Sequence, residues 1–174
     1  MAVCVIRILT ESDAEEFRAL RLRALREEPE SFGSSEAEFA AIPLDDVAKR
    51  LASDDDAFVL GALAPTLIGA VGFRRREGAK RRHKGLIWGV YVAPERRGQG
   101  VARSLMRAAI ARASALPGLE CLSLMVGLRN EAARNLYLSM GFSSYGVDRR
   151  AIKLGGEYLD EDLMELLLAA DERR

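Results

Sequence analysis

The chain has 174 residues, with 26 basic and 26 acidic side chains, one His and no net charge. That length suffices for one buried core, and the charge balance argues against a dedicated nucleic-acid binder, which carries an excess of Lys and Arg. Hydrophobic residues make up 49%, which excludes a disordered chain, and the two cysteines, Cys4 and Cys121, stand far apart with no CxxC or flanking His, so neither a disulfide framework nor a metal site is expected.

In chain order, Ala2 to Leu9 is rich in Val and Ile and predicts a strand, and Thr10 or Ser12 can cap the helix that follows, with Phe17, Leu20 and Ala24 at helical spacing. Pro29 to Ser35 reads as a loop, and Pro43 starts a short amphipathic helix carrying Val47, Ala48 and Leu51. Two apolar strands, Ala57 to Leu63 and Leu67 to Phe73, form a hairpin across Ala64, Pro65 and Thr66. This uncharged run is too short to span a bilayer and is broken by Pro65, and the N-terminus lacks the basic start and apolar stretch of a secretory signal. The expectation is a cytoplasmic protein with no membrane segment.

A basic turn, Arg74 to Lys84, holds seven Lys or Arg and one Glu without interleaved aromatics, and reads as a solvated hairpin turn rather than a nucleic-acid surface. His83 belongs to that turn and reads as solvated too. A strand from Leu86 to Val92 ends at Pro94, and Gly98 to Leu116 has the apolar period of an amphipathic helix stopped by Pro117 and Gly118. A strand at Cys121 to Val126, a helix from about Asn130 to Met140 and a strand pair joined at Gly155-Gly156 complete the chain. With no repeat or linker, residues 1–174 read as a single domain. Strand 86–92, its helix and strand 121–126 form a right-handed parallel β-α-β unit, so the fold class is α/β, with a mixed, mostly antiparallel sheet, a central parallel strand pair and flanking helices.

The run from Val90 to Ala102, VYVAPERRGQGVA, places a strand, a glycine-rich turn and a helix start in succession. Glycines let a backbone approach a ligand closely, and a helix N-terminus attracts phosphate. The dinucleotide pattern G-x-G-x-x-G fails because Arg103 stands at its third glycine, and the triphosphate loop fails for want of Gly-Lys-Ser/Thr. From Leu122 the chain reads LSLMVGLRNEAARNLYLSMGF.

Together these segments resemble the GNAT superfamily of acetyl-CoA-dependent N-acetyltransferases. Arg97, Gly100 and Ala102 match its R/Q-x-x-G-x-G/A loop, and Asn130, Ala133, Leu136, Tyr137, Gly141 and Phe142 match its N-x-x-A-x-x-L-Y-x-x-x-G-F pattern. The resemblance implies a GNAT-like acyl-CoA N-acyltransferase fold, in which the backbone of Val90, Tyr91 and Val92 holds the pantetheine arm of acetyl-CoA. The loop of Arg97, Gly98, Gln99, Gly100, Val101, Ala102 and Arg103 would hold the pyrophosphate. Asn130 reads as an ordinary helix N-cap, and by resemblance also as a pantetheine contact. Tyr137 lies on an apolar helix face and reads as a core tyrosine; the resemblance makes it the general acid that protonates the departing thiolate.

No cysteine stands in either pattern, which favours direct attack by an amine within a ternary complex. The general base is not legible: Leu124-Met125-Val126 and Lys84-Gly85-Leu86 hold no carboxylate where relatives place one. A water relay remains, or a carboxylate from a substrate-side loop, Glu36 or Glu157, with Tyr91 as a further candidate. Resemblance places the acceptor, a small-molecule or peptide amine, between residues 31–39 and 154–160, so that Phe32, Glu36 and Glu157 are substrate-side residues, with Tyr158 and Asp160 nearby. The alternative is a non-catalytic acetyl-CoA-binding sensor, and the assembly expected is a monomer or homodimer. The zero net charge conceals a separation: residues 27–56 carry net −8, residues 157–174 net −5, and residues 94–112 net +4, which suits a cationic acceptor and an anionic cosubstrate.

Overall fold

The computed structural model describes residues 4–54 and 56–168. Strands β1 (Val5–Ile8), β2 (Ala57–Leu63), β3 (Leu67–Arg75), β4 (Lys84–Val92), β5 (Cys121–Gly127), β6 (Ser143–Leu154) and β7 (Glu157–Leu167) form one seven-stranded sheet in the order β1-β2-β3-β4-β5-β7-β6. Every pairing is antiparallel except β4 with β5, and the helix between those two strands is the crossover that a parallel pair requires.

Helices α1 (Ala14–Glu27), α2 (Glu36–Ala40) and α3 (Leu44–Leu51) cover one face of the sheet, and α4 (Val101–Ser114) covers the other. The two-residue period of β2 shows both layers: Phe58, Leu60 and Ala62 bury against the Leu105, Met106 and Ala109 side, whereas Val59 buries with Phe17, Leu20 and Val47. A strand covered on both faces needs no polar alternation, which explains the unbroken apolar run in β2 and β3. The last helix, α5 (Glu131–Ser139), contributes Tyr137 to the α4-side core.

Several boundaries differ from the sequence expectations. The first strand covers only Val5–Ile8, and Ala2 and Val3 lie outside the described residues. Thr10 caps a one-turn 3₁₀ helix, Glu11–Asp13, in a reciprocal capping box before α1 begins. Helix α2 lies between the expected loop, Pro29 to Ser35, and the helix from Pro43, where no element was expected; its Ser35 hydroxyl accepts from Glu38 N while Glu38 Oε2 accepts from Ser35 N at 2.8 Å, the S-x-x-E box that starts a helix. The fourth helix starts at Val101 rather than Gly98, because Gly98 and Gly100 have φ of +73° and +79°. Cys121 is buried and Cys4 is half-buried.

Two irregularities shape the middle of the sheet. The parallel pairing of β4 and β5 consists of Lys84 with Cys121, Gly85 with Leu122 and Leu86 with Ser123, and then stops. Beyond Leu86 the strands separate, leaving that edge of β4 without a strand partner. Within β4, the register jumps from Tyr91 opposite Ala70 to Trp88 opposite Gly72, a bulge in which Gly89 takes φ +64°. The basic turn before β4 lies at the other end of the strand, and two of its cations are engaged in structure: Arg82 pairs with Asp56 through both carboxylate oxygens, at 2.8 and 2.7 Å, and Arg75 Nη2 donates to Pro117 O at 2.6 Å.

Candidate active site

The separation of β4 from β5 opens a cavity of about 870 Å³, within the usual size of a small-molecule site. Its walls come from the β4 edge (Val90, Tyr91, Val92), the glycine turn and start of α4 (Gly98, Gly100 to Arg103), the loop before α2 (Glu28 to Phe32) and α5 (Asn130, Ala133, Tyr137). A narrower wedge reaches between the two strands past Trp88, Gly89, Leu124 and Val126, again to Tyr137.

At the α4 end the cavity is bordered by an open helix N-terminus. The first intrahelical bond runs from Ser104 N to Gly100 O at 3.0 Å, so the amides of Val101, Ala102 and Arg103 lie ahead of the helical ladder, with the positive end of the dipole. A Cβ at Gly98 or Gly100 would meet nothing within 4 Å; these glycines are there for their left-handed backbone and the open space before them. Arg96 and Arg103 also face the cavity.

At the other end, Tyr137 is 6% exposed yet forms part of the wall. Burial pushes its phenol well above the ordinary value, with no hydrogen bond contributing, so it stays protonated and can only donate a proton at neutral pH. Asn130 caps α5, its Oδ1 accepting from Ala133 N at 3.1 Å, while its Nδ2 lies 3.4 Å from Ser31 Oγ. Helix α5 is held to the sheet by Asp162, 1% exposed, which accepts from Arg134 Nε at 2.7 Å and from Ser144 Oγ.

Residues 16–142 match the family described as Acetyltransferase (GNAT) family. The chain belongs to that family. Among relatives of known name, a mycothiol acetyltransferase of Thermobispora bispora is 34% identical over 78% of this chain, which spans only 45% of that protein. A phosphinothricin N-acetyltransferase of Alcaligenes faecalis is 27% identical over 97% of this chain and 85% of its own length. A GNAT-family acetyltransferase structure from Streptococcus pneumoniae superposes with a TM-score of 0.83 at 27% identity, covering 95% of this chain and 99% of that one. The yncA protein of Salmonella typhimurium, solved with its cofactor acetyl-CoA, gives a TM-score of 0.83 at 20% identity over 95% and 94% of the two chains, a likeness of fold.

In this GNAT chain the structure brings Val90, Tyr91, Val92, Arg97, Gly98, Gly100, Val101, Ala102, Arg103, Asn130, Tyr137 and Phe32 to one cavity. Gln99 turns away, its Nε2 donating to Glu95 O at 3.2 Å. The Arg97 guanidinium faces the protein instead of standing free, donating to Val92 O at 3.0 Å and to Glu28 Oε1 at 2.9 Å, which clamps the turn onto β4.

None of the sequence candidates for the base stands as a free carboxylate or phenolate on the wall. Glu36 pairs with Arg26 and Glu157 with Arg129, and neither lines the cavity; the Arg129 guanidinium holds Glu157 below its ordinary range. The Tyr91 hydroxyl donates to Glu27 Oε2 at 2.6 Å, and burial together with that carboxylate pushes its phenol far up. Glu27 also bonds Arg23, which grips Glu95 with both arms at 2.8 Å, so α1 is tied to the segment just before the glycine turn. The carboxylates that do line the cavity are Glu27, Glu28, Glu30 and Asp160. Three of these escaped the sequence reading as site residues; the run Glu27-Glu28-Pro29-Glu30 registered only as charge, because nothing in its spacing says that it faces β4. Glu30 has no ion pair among the described residues, whereas Asp160 accepts from Arg150 N at 2.8 Å.

No helix of the described residues is long and apolar enough to cross a membrane.

Proposed function

We propose that this chain transfers the acetyl group of acetyl-CoA to an amine, with both substrates held in one cavity and Tyr137 as the general acid. The observation that carries this reading is that the α4 amides, the unpaired β4 edge and Tyr137 all border one continuous space. Acetyl-CoA supplies an activated thioester that an amine attacks directly, the C–N bond forming as the C–S bond breaks.

The residues divide the work by their chemistry. The amides of Val101, Ala102 and Arg103 and the side chains of Arg96 and Arg103 meet the pyrophosphate, where fixed backbone donors cost no side-chain entropy. The free edge of β4 offers peptide groups to the amides of the pantetheine arm, as one strand offers them to another. Tyr137 gives its proton to the departing sulfur. The dry surroundings that raise its phenol raise a thiolate's proton affinity as well, so donor and acceptor stay matched. An alkyl amine with pKa near 10.4 is mostly protonated at neutral pH, and its deprotonation is equivalent to about 4–5 kcal/mol. Glu30 is the unpaired carboxylate on the wall, and it takes that proton through water while the acidic rim draws the cation in. The proton lost by the amine restores the Tyr137 phenol, and the products are the acetamide and CoA thiol.

The test follows release of CoA thiol from acetyl-CoA across a panel of amines, with Tyr137→Phe beside the unaltered protein. Acceptor-dependent release is expected, and the variant should lose about 10²-fold or more in kcat with its KM for acetyl-CoA unmoved. Tight acetyl-CoA binding with no release across the panel would instead identify a sensor.

A further inference from the structure

The end of helix α1 breaks a local rule. Glu27 is its last residue and Glu28 its C-cap, so two carboxylates stand at the negative end of the helix dipole, where cations are the favoured occupants. Each is held there by the stretch that runs from the end of β4 into the glycine turn. Glu27 Oε2 accepts from the Tyr91 hydroxyl at 2.6 Å, and Glu28 Oε1 accepts from Arg97 Nη1 at 2.9 Å. Arg97 is the one ion-pair partner of Glu28 among the described residues. The other cations near the end of α1 are taken, Arg23 by Glu27 and Glu95 and Arg26 by Glu36.

Arg97 has two separate attachments. Its Nε donates to Val92 O at 3.0 Å, and its guanidinium lies 5.8 Å from the centre of the Tyr91 ring, so the inner part of the side chain is fixed to β4. The outer arm, Nη1, goes to Glu28. Both side chains line the cavity together with Gly98 and Gly100, and they are 45% and 37% exposed. An ion pair this open adds little to the stability of the fold, so it changes partner without unpacking the core. A pyrophosphate takes an arginine fork as a carboxylate does. Glu28 is therefore a resident competitor at the end of the cavity where the cosubstrate's own anion binds.

We propose that the Arg97–Glu28 pair is an autoinhibitory contact: Glu28 holds the outer arm of Arg97 in the empty protein, the pyrophosphate of the cosubstrate displaces it, and its return after transfer helps to expel CoA. The inference rests on the acetyl-transfer reading and goes further in giving Glu28 a part in product release. Because Nε stays on Val92 O, the exchange needs only the outer arm. The displaced Glu28 is left at the negative end of α1 without a cation, which raises the free energy of the occupied state and shortens its life. The same carboxylate that weakens binding thus speeds the exit of CoA, a step that limits turnover in many enzymes.

The experiment measures CoA binding by calorimetry for the unaltered protein, Glu28→Gln, Arg97→Gln and the double variant. Glu28→Gln keeps the shape of the side chain and removes its charge. It should tighten CoA by about 3- to 10-fold, the scale of one open ion pair together with one like charge removed, and stopped-flow dissociation of CoA should slow by a similar factor. A damaged fold cannot produce a gain in affinity. Arg97→Gln should weaken CoA, and in that background Glu28→Gln should no longer matter. Glu30→Gln removes the same charge from the same wall without touching Arg97, and should move the Kd of CoA by less than about 2-fold. A Glu28→Gln protein that binds CoA more weakly would show that Glu28 readies Arg97 for phosphate, and would overturn the proposal. An unchanged Kd overturns it too, as does a gain that survives without Arg97 or that Glu30→Gln reproduces, since either is a general effect of charge. With CoA bound by the unaltered protein, any of these results removes the autoinhibitory contact and leaves acetyl transfer standing. Absence of CoA binding from the unaltered protein and Glu28→Gln alike removes both.

Discussion

Replacing Gly100 by Ala tests whether the turn before α4 is a phosphate cradle. Gly100 has φ +79°, and a Cβ there meets nothing within 4 Å. The substitution therefore carries no clash, only the left-handed penalty of a residue with a Cβ, about 1–2 kcal/mol. For a chain of this length that lowers Tm by about 2–8 °C. Relief of the strain comes through moving the amides of Val101 to Arg103, and the new methyl enters the space before them. Losing one charge-assisted contact to a pyrophosphate costs about 1.5–3 kcal/mol, so calorimetry should show CoA binding weakened by about 10- to 100-fold. Gly78 provides the matched control: its φ is +85°, a Cβ there also meets nothing, and it lies in the basic turn at the far end of β4. Gly78→Ala should cost the same Tm and leave CoA binding alone. A Gly100→Ala protein that binds CoA normally, or a Gly78→Ala protein that binds it as poorly, would refute the assignment.

Asp162→Asn removes the buried carboxylate that accepts from Arg134 and Ser144; Arg134 is 38% exposed and can turn to water, so the cost is that of a charged hydrogen bond, about 1.5–3 kcal/mol, and a fall in Tm of about 3 °C or more by calorimetry is expected, whereas a shift under about 1 °C would show that the contact does not hold α5. Arg7 holds the Asp13 carboxyl down to about 2 from 3.8. A depressed acid stabilises the fold above its unfolded pKa and loses that contribution as pH falls through the folded one, so the Tm difference between the unaltered protein and Asp13→Asn should vanish between about pH 4 and 2; a constant difference contradicts the ion pair. Raising ionic strength from about 0.05 to 0.5 M shortens the Debye length severalfold and should raise KM for acetyl-CoA, whereas an unmoved KM leaves the arginines around the glycine turn, Arg96 and Arg103, without an electrostatic role.

What the sequence revealed follows what is local in the physics. The glycine turn was legible because left-handed backbone, helix start and proline punctuation are written in adjacent residues, and the Gly155-Gly156 turn was legible for the same reason, with φ of +56° and +88°. Tyr137 came from resemblance to a pattern, and its burial became visible only with the fold. Helix α2 was missed although Ser35 and Glu38 signalled it, since five residues beside Gly33 and Ser34 look like loop. The insertion of β7 between β5 and β6, the early end of the β4–β5 ladder and the bulge at Gly89 arise from pairings distant in the chain. So do the occupied states of Glu36 and Glu157. A charge reads the same in sequence whether or not another side chain meets it.

The short parallel ladder also has a mechanical consequence. Among the described residues, strands β1 to β4 and β5 to β7 are two half-sheets fastened by backbone bonds only from His83 to Leu86, like a book bound at one corner. On the proposed reading, the cosubstrate's amide-bearing arm takes the missing strand's position and sews the open margin. Occupancy at about 100 times Kd then adds about 2.7 kcal/mol to the stability of the whole, and hydrogen exchange should slow along β4 and β5 together. Such a protein carries one of its own structural members as a substrate, and gives it up with every turnover.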